Sequence, residues 1–271
     1  MRQYLDLMQY VLDNGELRRN RTGTDTISVF GMQTKYDLRA GFPLVTTKKV
    51  NFRNVVAELL WFLKGATNIH DGLKEYTSIW DAWADEEGNL GPIYGYQWVK
   101  WEKFTRDEET GQYKKTHINQ VQKVIDTIKH NPQDRRIIVS AWNVADLDRM
   151  ALPPCHSFFQ CYVVNGRLDL QLYQRSADLP VGVPYNIASY AALLSMLAME
   201  CDLVPGIFTH TLGDAHIYVD QVEGVRRQIA RTPHALPRLE LTKKGFWELG
   251  VDDFKVHDYV HDSFIKYPVA V

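Results

Sequence analysis

A cysteine between a proline pair and a predicted strand is the residue whose setting most clearly suggests chemistry. Cys155 follows Pro153 and Pro154 in ALPPCHSFFQCYV, and an alternating apolar pattern begins after it. Because the prolines restrict the chain, we expect the thiol to be held at the start of a strand. A neighbouring guanidinium would lower the pKa of such a thiol and make it a nucleophile. The alternative is an inert buried thiol, which is how we interpret Cys161 and Cys201 within their apolar segments.

Arginines occur in loops and at strand ends, where side chains from different segments can converge. Arg21 lies in RTGT, Arg135 and Arg136 precede an apolar run, and Arg175 is followed by Ser176. Several guanidinium groups and a hydroxyl would bind a phosphate dianion, because arginine donates to its oxygens in a planar, bidentate manner. Scattered surface salt bridges are the alternative, and the local sequence alone favours them.

An amide at the start of an apolar helix could read the edge of a base. Asn186 lies in VPYNIASY, and a buried amide is costly unless both its donor and its acceptor are matched. A carboxamide can accept from a ring N–H and donate to an adjacent carbonyl, which is the pattern of uracil and not of cytosine. An N-terminal helix cap explains the same residue equally well.

A further group of residues could move protons or bind hydroxyl groups. They are Glu58, which lies on an apolar helix, and Tyr94, His156, His216 and Tyr218. Carboxyl, imidazole and phenol groups serve in general acid–base catalysis. Each residue also has a structural explanation, since a buried glutamate is often paired and a histidine is more often a satisfied core residue.

The composition is that of a globular protein with little excess charge. The chain has 271 residues, of which 45% are hydrophobic and 24% are charged, so it can bury a sizeable core. A formal charge of -2, from 31 basic and 33 acidic residues, argues against a broad polyanion-binding surface and against an obligate nucleic-acid partner. Any phosphate site must therefore be local.

Cysteine usage and the apolar segments predict a cytoplasmic protein without a metal site or a membrane anchor. The three cysteines lack CxxC spacing, which fits a reducing compartment and argues against a disulfide framework or a zinc site. The N-terminus does not resemble a signal peptide. The longest apolar stretch, 187–199, is shorter than the roughly 18 residues that span a bilayer.

Apolar periodicity and turn residues divide the chain into helices and strands. The predicted helices cover 3–13, 53–64, 117–130, 185–200 and 217–231. The predicted strands lie in 26–38, 135–143 and 206–211, and in a hairpin over 158–176 that turns at Asn165-Gly166. Residues 81–116 read as a long surface excursion, in which GPIYGYQW is a pocket-lining loop and TRDEETGQYKK is a solvated hairpin or loop.

The order of these elements predicts the fold class. No internal repeat, low-complexity tract or linker divides the sequence, so we expect one domain, residues 1–271. Strands and helices do not alternate as in a Rossmann fold, and the sequence has no GxGxxG. We therefore predict an α+β fold built on a mixed or antiparallel sheet.

Ordered segments along essentially the whole chain resemble the thymidylate synthase family. They are RTGT, FPLVTTKK, AELLWFLKG, IWDAWAD, GPIYGYQW, RRIIVSAWN, LPPCHSFFQ, QLYQRSAD, NIASY, GDAHIY and a terminal PVAV. The resemblance implies an α+β domain with a twisted, largely antiparallel or mixed sheet flanked by helices, which works as a sheet-mediated homodimer.

For the nucleotide, the resemblance implies covalent activation by the thiol. Cys155 would attack C6 of dUMP, so that C5 captures the one-carbon unit of 5,10-methylenetetrahydrofolate and yields dTMP and dihydrofolate. Asn186 would read the uracil edge, and His216 and Tyr218 would hold the 3'-hydroxyl. The 5'-phosphate would be bound by Arg21, Arg175 and Ser176, together with Arg135 and Arg136 of the partner subunit.

The resemblance also implies roles in proton transfer and in folate binding. Glu58, Tyr94 and His156 would manage the proton transfers around the ring, and Arg175 would belong to the same catalytic set. Asp178 would bind the pterin of the folate. The folate pocket would also contain Trp80, Trp83, Gly182 and Tyr185, and the C-terminal Val271 would close it to water.

The sequence departs from the family pattern on the folate side. Pro180 stands where a phenylalanine is common, Asn51 where a histidine often contacts folate, and Asn20 where an aspartate often precedes the phosphate-binding arginine. The last segment, HDSFIKYPVAV, replaces a more usual HPAIKAPVAV. The main alternative is therefore a dUMP hydroxymethylase of the same superfamily, in which the methylene intermediate captures water instead of hydride.

Two further alternatives are less favoured by the residues present. An aspartate in place of Asn186 would favour cytosine, so the asparagine argues against a dCMP enzyme. A noncatalytic nucleotide- or RNA-binding protein of the same fold would be expected to lose Cys155, Glu58 or Asn186, and all three are present.

Overall fold

The protein is described by a computed structural model that covers residues 1–20 and 22–269. Its helices are α1 (Arg2–Asn14), α2 (Phe52–Leu63), α3 (Tyr94–Lys100), α4 (Gln120–His130), α5 (Gly182–Glu200) and α6 (Val222–Ile229). Its strands are β1 (Glu16–Arg18), β2 (Thr26–Asp37), β3 (Trp101–Arg106), β4 (Tyr113–Ile118), β5 (Ile138–Ser140), β6 (His156–Val164), β7 (Arg167–Asp178), β8 (Val204–Tyr218), β9 (Arg238–Leu241) and β10 (Phe254–His257).

The main sheet has six strands in the order β1-β2-β8-β7-β6-β5. Strands β7 and β8 run parallel, whereas the other neighbouring pairs are antiparallel. Parallel neighbours require a crossover, and α5 supplies it by packing back onto both strands. The predicted α+β fold with a mixed, largely antiparallel sheet is confirmed. The pairs β3-β4 and β9-β10 form separate two-stranded sheets.

Helix α5 forms the centre of the core. It packs against β7, β8 and α2, and Ile187, Leu194 and Met196 along it are fully buried. This enclosure explains why the helix is apolar around most of its circumference. A polar side chain on α5 must therefore find its hydrogen-bond partners within the protein or in a ligand.

Local irregularities interrupt the regular pairing of strands in the sheet. Gly31 in β2 has a φ of 82° and interrupts the pairing with β8, and β6 changes register between His156 and Phe158. A Cβ atom on Gly213 would lie 2.8 Å from the carbonyl oxygen of Arg175, so glycine is required for β8 to approach β7 there. This close approach defines the position of Arg175 near the end of β7.

One face of the sheet carries exposed aromatic side chains. In β6 the buried Phe159 and Cys161 alternate with Phe158 and Tyr162, which are 41% and 63% exposed. The ring of Phe158 stacks on that of Tyr173 in β7, with their centroids 5.7 Å apart. Exposed aromatic groups that are neighbours on a sheet are typical of a protein–protein contact surface.

The predicted elements are present, with several ends shifted. The hairpin turn at Asn165-Gly166 is confirmed, and both residues have the positive φ that such a turn requires, 49° and 71°. The strand predicted over 206–211 continues to Tyr218, so the next helix begins at Val222 and not at 217. The helix predicted from 117 begins at Gln120, because the preceding residues form β4.

The interpretation of GPIYGYQW as a loop is wrong. These residues lead into α3, where Tyr94, Gln97 and Trp98 are buried. A Cβ atom on Gly95 would lie 2.0 Å from the carbonyl oxygen of Phe62, so this glycine lets α3 pack closely on α2. The solvated hairpin predicted after it is confirmed as β3-β4. Within the described residues, no helix has the length and apolar character needed to cross a membrane.

Candidate active site

Cys155 lies where the chain enters β6, as predicted from the preceding prolines. Its backbone N–H donates a 2.8 Å hydrogen bond to the hydroxyl of Tyr94, and its carbonyl oxygen accepts a 2.8 Å bond from the backbone N–H of Arg175. The residue is partly buried. Two different elements, α3 and β7, thus fix the backbone that carries the thiol.

A cleft of about 510 Å³ opens beside this cysteine. It receives side chains from the ends of β7 and β8 and from the loop before β6, and it is large enough for a nucleotide. The residues around it include Asn20, Thr22, Trp83, Trp142, Pro153, Cys155, Arg175, Ser176, Asp214, His216 and Tyr218. Cys155, Arg175, Ser176, His216 and Tyr218 were predicted as site residues, and the structure brings them together.

The guanidinium of Arg175 is held in a fixed orientation at this cleft. Its Nε and Nη2 atoms donate to the carbonyl oxygens of Pro154 and Pro153, at 2.9 and 2.7 Å. The guanidinium carbon lies 5.6 Å from the centroid of the Trp142 ring. Both accepting carbonyls immediately precede Cys155, so the cation and the thiol share one rigid segment. Further N–H donors of the guanidinium are left for an anion.

Tyr94 and His156 form a second group next to the cysteine, and Glu58 is close enough to Tyr94 to raise its pKa. A carboxylate oxygen of Glu58 accepts a 2.7 Å hydrogen bond from the indole N–H of Trp80, yet burial raises the pKa of Glu58 to about 7. Burial also lowers the pKa of His156 to about 4, and it raises that of Tyr94 well above its usual value. The rings of Tyr94 and His156 lie 5.2 Å apart. A carboxyl group that titrates near neutral pH is suited to proton transfer in both directions.

His216 is held by a network of charged groups at the end of β8. Its Nδ1 atom lies 3.1 Å from a carboxylate oxygen of Asp214, and the other oxygen accepts a 2.8 Å bond from Arg18. The hydrogen bond with His216 is the largest of the effects that lower the pKa of Asp214. The ring of Tyr218 packs edge-on against that of His216, with centroids 5.3 Å apart. Both residues belong to β8, whereas Tyr218 was predicted to lie in a helix that begins at 217.

Asn186 lies in the second turn of α5 and does not cap it. The helix begins at Gly182, and the preceding Val181 makes no side-chain capping bond, so the N-cap interpretation of Asn186 is wrong. The Oδ1 atom of Asn186 instead accepts a 3.0 Å hydrogen bond from the side-chain amide of Gln174. Gln174 was not predicted as a site residue, although its place in phase with the buried Leu170 and Leu172 of β7 indicates an inward-pointing side chain.

A family model described as thymidylate synthase matches residues 2–271. The chain belongs to the thymidylate synthase family. Membership makes it a folate-dependent enzyme of the superfamily that methylates or hydroxymethylates dUMP. The segments that carry the cleft, from Cys155 through Ser176 to His216, all fall within the matched range.

The side chains predicted to bind folate in this thymidylate synthase family member form two groups, one at the start of α5 and one made of Trp80 and Trp83. The carboxylate of Asp178 accepts bonds of 3.1 Å from the backbone N–H of Val181 and of 3.2 Å from the amide of Gln221, and burial raises its pKa. Trp80 and Trp83 contact each other with ring centroids 5.8 Å apart. Gly182 and Tyr185 lie in the first turn of the helix.

Two departures from the family pattern, Pro180 and Asn51, make local contacts through their backbones. The carbonyl oxygen of Pro180 accepts a hydrogen bond from the buried ammonium of Lys48. Burial lowers the pKa of Lys48 to about 8, while the nearby Asp178 favours its charged form. The backbone of Asn51 interacts with the hydroxyl of Tyr185, which partly offsets the rise in the pKa of that hydroxyl caused by burial. The Asn51 side chain makes no capping bond to α2.

Arg135 and Arg136 do not line the cleft beside Cys155 within one chain, and Glu58, Asn186 and Asp178 are not part of its lining either. Both arginines are exposed, and Arg136 forms a bidentate pair with Asp134, at 3.0 and 2.9 Å. Arg136 lines a separate cleft of about 490 Å³ beside α4. Arg21 and Val271 lie outside the described residues. Among residues 1–20 and 22–269, no cluster of histidine, cysteine and acidic side chains could hold a metal ion.

Proposed function

We propose that this protein converts dUMP to dTMP with 5,10-methylenetetrahydrofolate, which leaves as dihydrofolate. The observation that carries the proposal is the placement of a cysteine, a fixed guanidinium and the hydroxyl of Ser176 around one nucleotide-sized cleft. A thiol can activate a pyrimidine covalently, and the cation can bind its phosphate. Both groups belong to segments of the family match.

The proposed chemistry begins with addition of the Cys155 thiolate to C6 of the uracil ring. The electron pair of the C5–C6 double bond then forms the new bond from C5 to the one-carbon unit. Loss of the C5 proton expels the tetrahydrofolate nitrogen from the one-carbon unit and leaves an exocyclic methylene group on the enzyme-bound ring. Hydride from tetrahydrofolate reduces this group to a methyl, and elimination of the Cys155 thiolate from C6 then restores the C5–C6 double bond and releases dTMP. Tyr94 and His156 lie beside the cysteine, and Glu58 is close enough to Tyr94 to raise its pKa. These three groups are therefore suited to the proton transfers at O4 and C5.

The phosphate and the sugar are assigned to the open side of the cleft. Arg175 and Ser176 would bind the 5'-phosphate with Arg21, while His216 and Tyr218 would hold the 3'-hydroxyl. Asn186 would recognise the uracil edge, and its hydrogen bond to Gln174 gives the amide a defined direction. The site draws on α2, α3, β6, β7, α5 and β8, which is consistent with one catalytic domain over residues 1–271.

A homodimer would complete the phosphate site with Arg135 and Arg136 of the partner subunit. The exposed Phe158 and Tyr162 supply an apolar sheet face through which two copies could pair. The exposed position of Arg136, away from its own cysteine, is consistent with a role in the neighbouring site. We expect an isolated monomer to be inactive.

The folate is assigned to the side of the cleft that leads to α5. Asp178 would bind the pterin, since its buried carboxylate already accepts from two donors and is held rigidly. Trp80, Trp83, Gly182 and Tyr185 would line the pocket, and Val271 would close it. Exclusion of water favours hydride transfer over hydration of the methylene group. A reducing, cytoplasmic setting would keep the Cys155 thiol available.

Product analysis tests the proposal directly. The purified protein, given dUMP and methylenetetrahydrofolate, should form dTMP by mass spectrometry and dihydrofolate by its absorbance. Cys155→Ala should bind dUMP without turnover, whereas Cys201→Ala, a partly buried thiol elsewhere in the chain, should remain active. Formation of 5-hydroxymethyl-dUMP without dihydrofolate would identify a hydroxymethylase instead. Tight RNA binding without either product would indicate a noncatalytic protein.

A further inference from the structure

Residues 262–268, which we call the tail segment, are fixed to the rest of the protein at both ends. The backbone N–H of Asp262 donates a 2.8 Å hydrogen bond to the carbonyl oxygen of Thr46. At the other end, the side-chain nitrogen of Gln221 donates a 3.0 Å bond to the carbonyl oxygen of Pro268. Both bonds join groups of the protein itself, so neither depends on a bound ligand.

Tyr267 anchors the tail segment between these two ends. A Cβ atom on Gly224 of α6 would lie 2.6 Å from Cε1 of the buried Tyr267 ring, so glycine is required for the ring to pack this closely on the helix. The phenol hydroxyl donates a 2.7 Å bond to Oε1 of the completely buried Gln228. The Nε2 atom of Gln228 donates a 3.1 Å bond to the hydroxyl of Thr47. Tyr267 thus combines burial of a large ring with a matched polar group.

This anchor is absent from the more usual segment of the family. The chain has Tyr267 in HDSFIKYPVAV where HPAIKAPVAV has alanine. An alanine side chain has no ring to pack on Gly224 and no hydroxyl to reach Gln228. The departure at this position therefore adds contacts between the tail segment and α6.

One side-chain amide connects the tail segment with the proposed folate site. The Oε1 atom of Gln221 accepts a 3.0 Å bond from the backbone N–H of Tyr218, so the amide nitrogen must face the other way. That nitrogen donates to the carbonyl oxygen of Pro268 and, at 3.2 Å, to the carboxylate of Asp178. The tail segment and the residue expected to bind the pterin thus share one donor group.

The ring of Tyr267 also covers a cation on the same side of the protein. The ammonium of Lys48 lies 5.0 Å from the ring centroid, and it is buried and donates to the carbonyl oxygen of Pro180. A cation over the face of an aromatic ring is stabilised by the electrons of the ring. The docked tail segment therefore forms part of the protein wall beside the start of α5.

We propose that Tyr267 is a positioning residue for the folate site, because it keeps the tail segment docked without help from a ligand. This inference rests on the proposed function, in which Asp178 binds the pterin. A ligand that meets a site already in its binding conformation does not lose affinity to the ordering of that site. If the tail segment were docked for only about a tenth of the time, the apparent dissociation constant of the folate would rise about tenfold.

A purely structural role for Tyr267 predicts a different outcome. Loss of a buried ring would then lower the stability of the whole protein and weaken the binding of dUMP and of folate alike. The proposed role confines the effect to the folate, because no residue of the tail segment lines the cleft beside Cys155. The two roles therefore differ in what happens to dUMP.

Trypsin measures the docking of the tail segment directly. Lys266 is exposed, but cleavage of the bond after it requires the segment to leave the protein surface. Without folate, we expect cleavage there to be about tenfold or more faster in Tyr267→Ala than in the unsubstituted protein, since the rate follows the undocked population. Gly224→Ala should act likewise, because its Cβ atom displaces the ring while alanine favours the helix. Phe264→Ala, which changes an exposed ring of the same segment, should leave the rate unchanged.

Calorimetry with tetrahydrofolate in the presence of dUMP measures the consequence. The dissociation constant of tetrahydrofolate should rise about tenfold or more in Tyr267→Ala and in Gly224→Ala. The dissociation constant of dUMP alone should stay within a factor of about two. Tyr267→Phe keeps the ring on Gly224 and should retain most of the affinity for tetrahydrofolate.

An unchanged dissociation constant of tetrahydrofolate in both folded variants would overturn the inference. A peptide of residues 258–271 provides a test that needs no variant and decides if both substitutions prevent folding. Cleavage after Lys266 in the unsubstituted protein should be far slower than in this peptide, and an equal rate would show that the tail segment is not docked. Failure of the unsubstituted protein to bind dUMP and tetrahydrofolate would overturn the proposed function itself, whereas slow cleavage after Lys266 would still support the anchor.

Discussion

The hydroxyl of Tyr94 accepts a 2.8 Å hydrogen bond from the backbone N–H of Cys155. The two residues are far apart in sequence, and Tyr94 begins α3 with an unusual φ of 20°. Such a backbone conformation is costly for a side chain as large as tyrosine and is found where the surrounding structure enforces it. Two contacts hold Tyr94 in this backbone conformation. Its ring stacks on that of Phe62, with centroids 4.9 Å apart, and its hydroxyl accepts the bond from Cys155.

Replacing Tyr94 with phenylalanine should impair turnover more than nucleotide binding. The change leaves the N–H of Cys155 without its partner, which should cost about 1–3 kcal/mol of stability. Misplacement of the thiol should lower the turnover number by about tenfold or more, since a barrier increase of 1.36 kcal/mol has that effect. The affinity for dUMP, measured by calorimetry, should change little.

Tyr36→Phe is the matched control for this variant. Tyr36 is equally buried, and its hydroxyl accepts a 3.1 Å bond from Thr34, outside the cleft. This control should lose stability and retain its turnover number. Equal turnover in Tyr94→Phe and Tyr36→Phe would show that the bond to Cys155 is structural only.

Glu58→Gln should change both the activity and the pH dependence of stability. General acid–base groups contribute roughly 10²–10⁴-fold to rate, so we expect a loss of that order. Burial raises the folded-state pKa of Glu58 from 4.5 to about 7, so the folded protein binds this proton more tightly than the unfolded chain does. The corresponding stability is fully present below pH 4.5 and is lost as the pH rises through 7.

Chemical denaturation across this pH range measures the effect. The free energy of unfolding of the unsubstituted protein should fall by on the order of 3 kcal/mol relative to Glu58→Gln. Glu200→Gln is the control, because the pH dependence of stability from Glu200 has the opposite direction. The hydrogen bond with Lys129 lowers the pKa of Glu200, so the stability that this carboxylate contributes is lost as the pH falls. A parallel pH dependence for the unsubstituted protein and Glu58→Gln would contradict the assignment of a raised pKa.

The sequence predicted the chemical groups of the site better than the bounds of its elements. Cys155 was found because prolines and a strand pattern surround it, and these are local signals. The helix predicted from 185 begins at Gly182, so Pro184 lies within its first turn. Proline is tolerated in the first turn, where its missing N–H would have no helical partner. Asn186 therefore lies inside the helix, and its cap interpretation failed.

Gln174 and His210, whose side chains are 2.8 Å apart, could not be predicted as partners in the same way. The apolar alternation of each strand indicates that both side chains point inward, but it does not indicate which strand lies beside which. Their partnership depends on the parallel pairing of β7 with β8, which places Gln174 opposite Leu212 and Leu172 opposite His210. This pairing follows from the crossover through α5 and from no local pattern.

Asp178→Asn should separate folate binding from nucleotide binding. Asparagine retains a carbonyl oxygen that can accept from Val181 or Gln221, so the loop after β7 should stay folded. It lacks the charge that a protonated or N–H-rich pterin edge would bind, so we expect the KM for methylenetetrahydrofolate to rise about tenfold or more. The dissociation constant of dUMP, measured without folate, should stay within a factor of about two. A larger effect on dUMP would place Asp178 in the nucleotide site.

Mixed dimers test whether Arg136 acts in the neighbouring subunit. Cys155→Ala and Arg136→Ala should each have little activity alone. If the two residues serve the same site from different chains, a mixed dimer has one site with both defects and one site with neither. Random exchange between equal amounts of the two variants should then restore about a quarter of the parental activity.

A second pair of variants controls for recovery by any other route. Arg175 lies in the same cleft as the cysteine of its own chain. A mixed dimer of Cys155→Ala with Arg175→Ala therefore carries one defect in each site and should stay inactive. Recovery with Arg136→Ala but not with Arg175→Ala would locate Arg136 across the subunit boundary. Equal recovery, or none in either mixture, would contradict that location, because the exposed Arg136 guanidinium would then serve only its pair with Asp134.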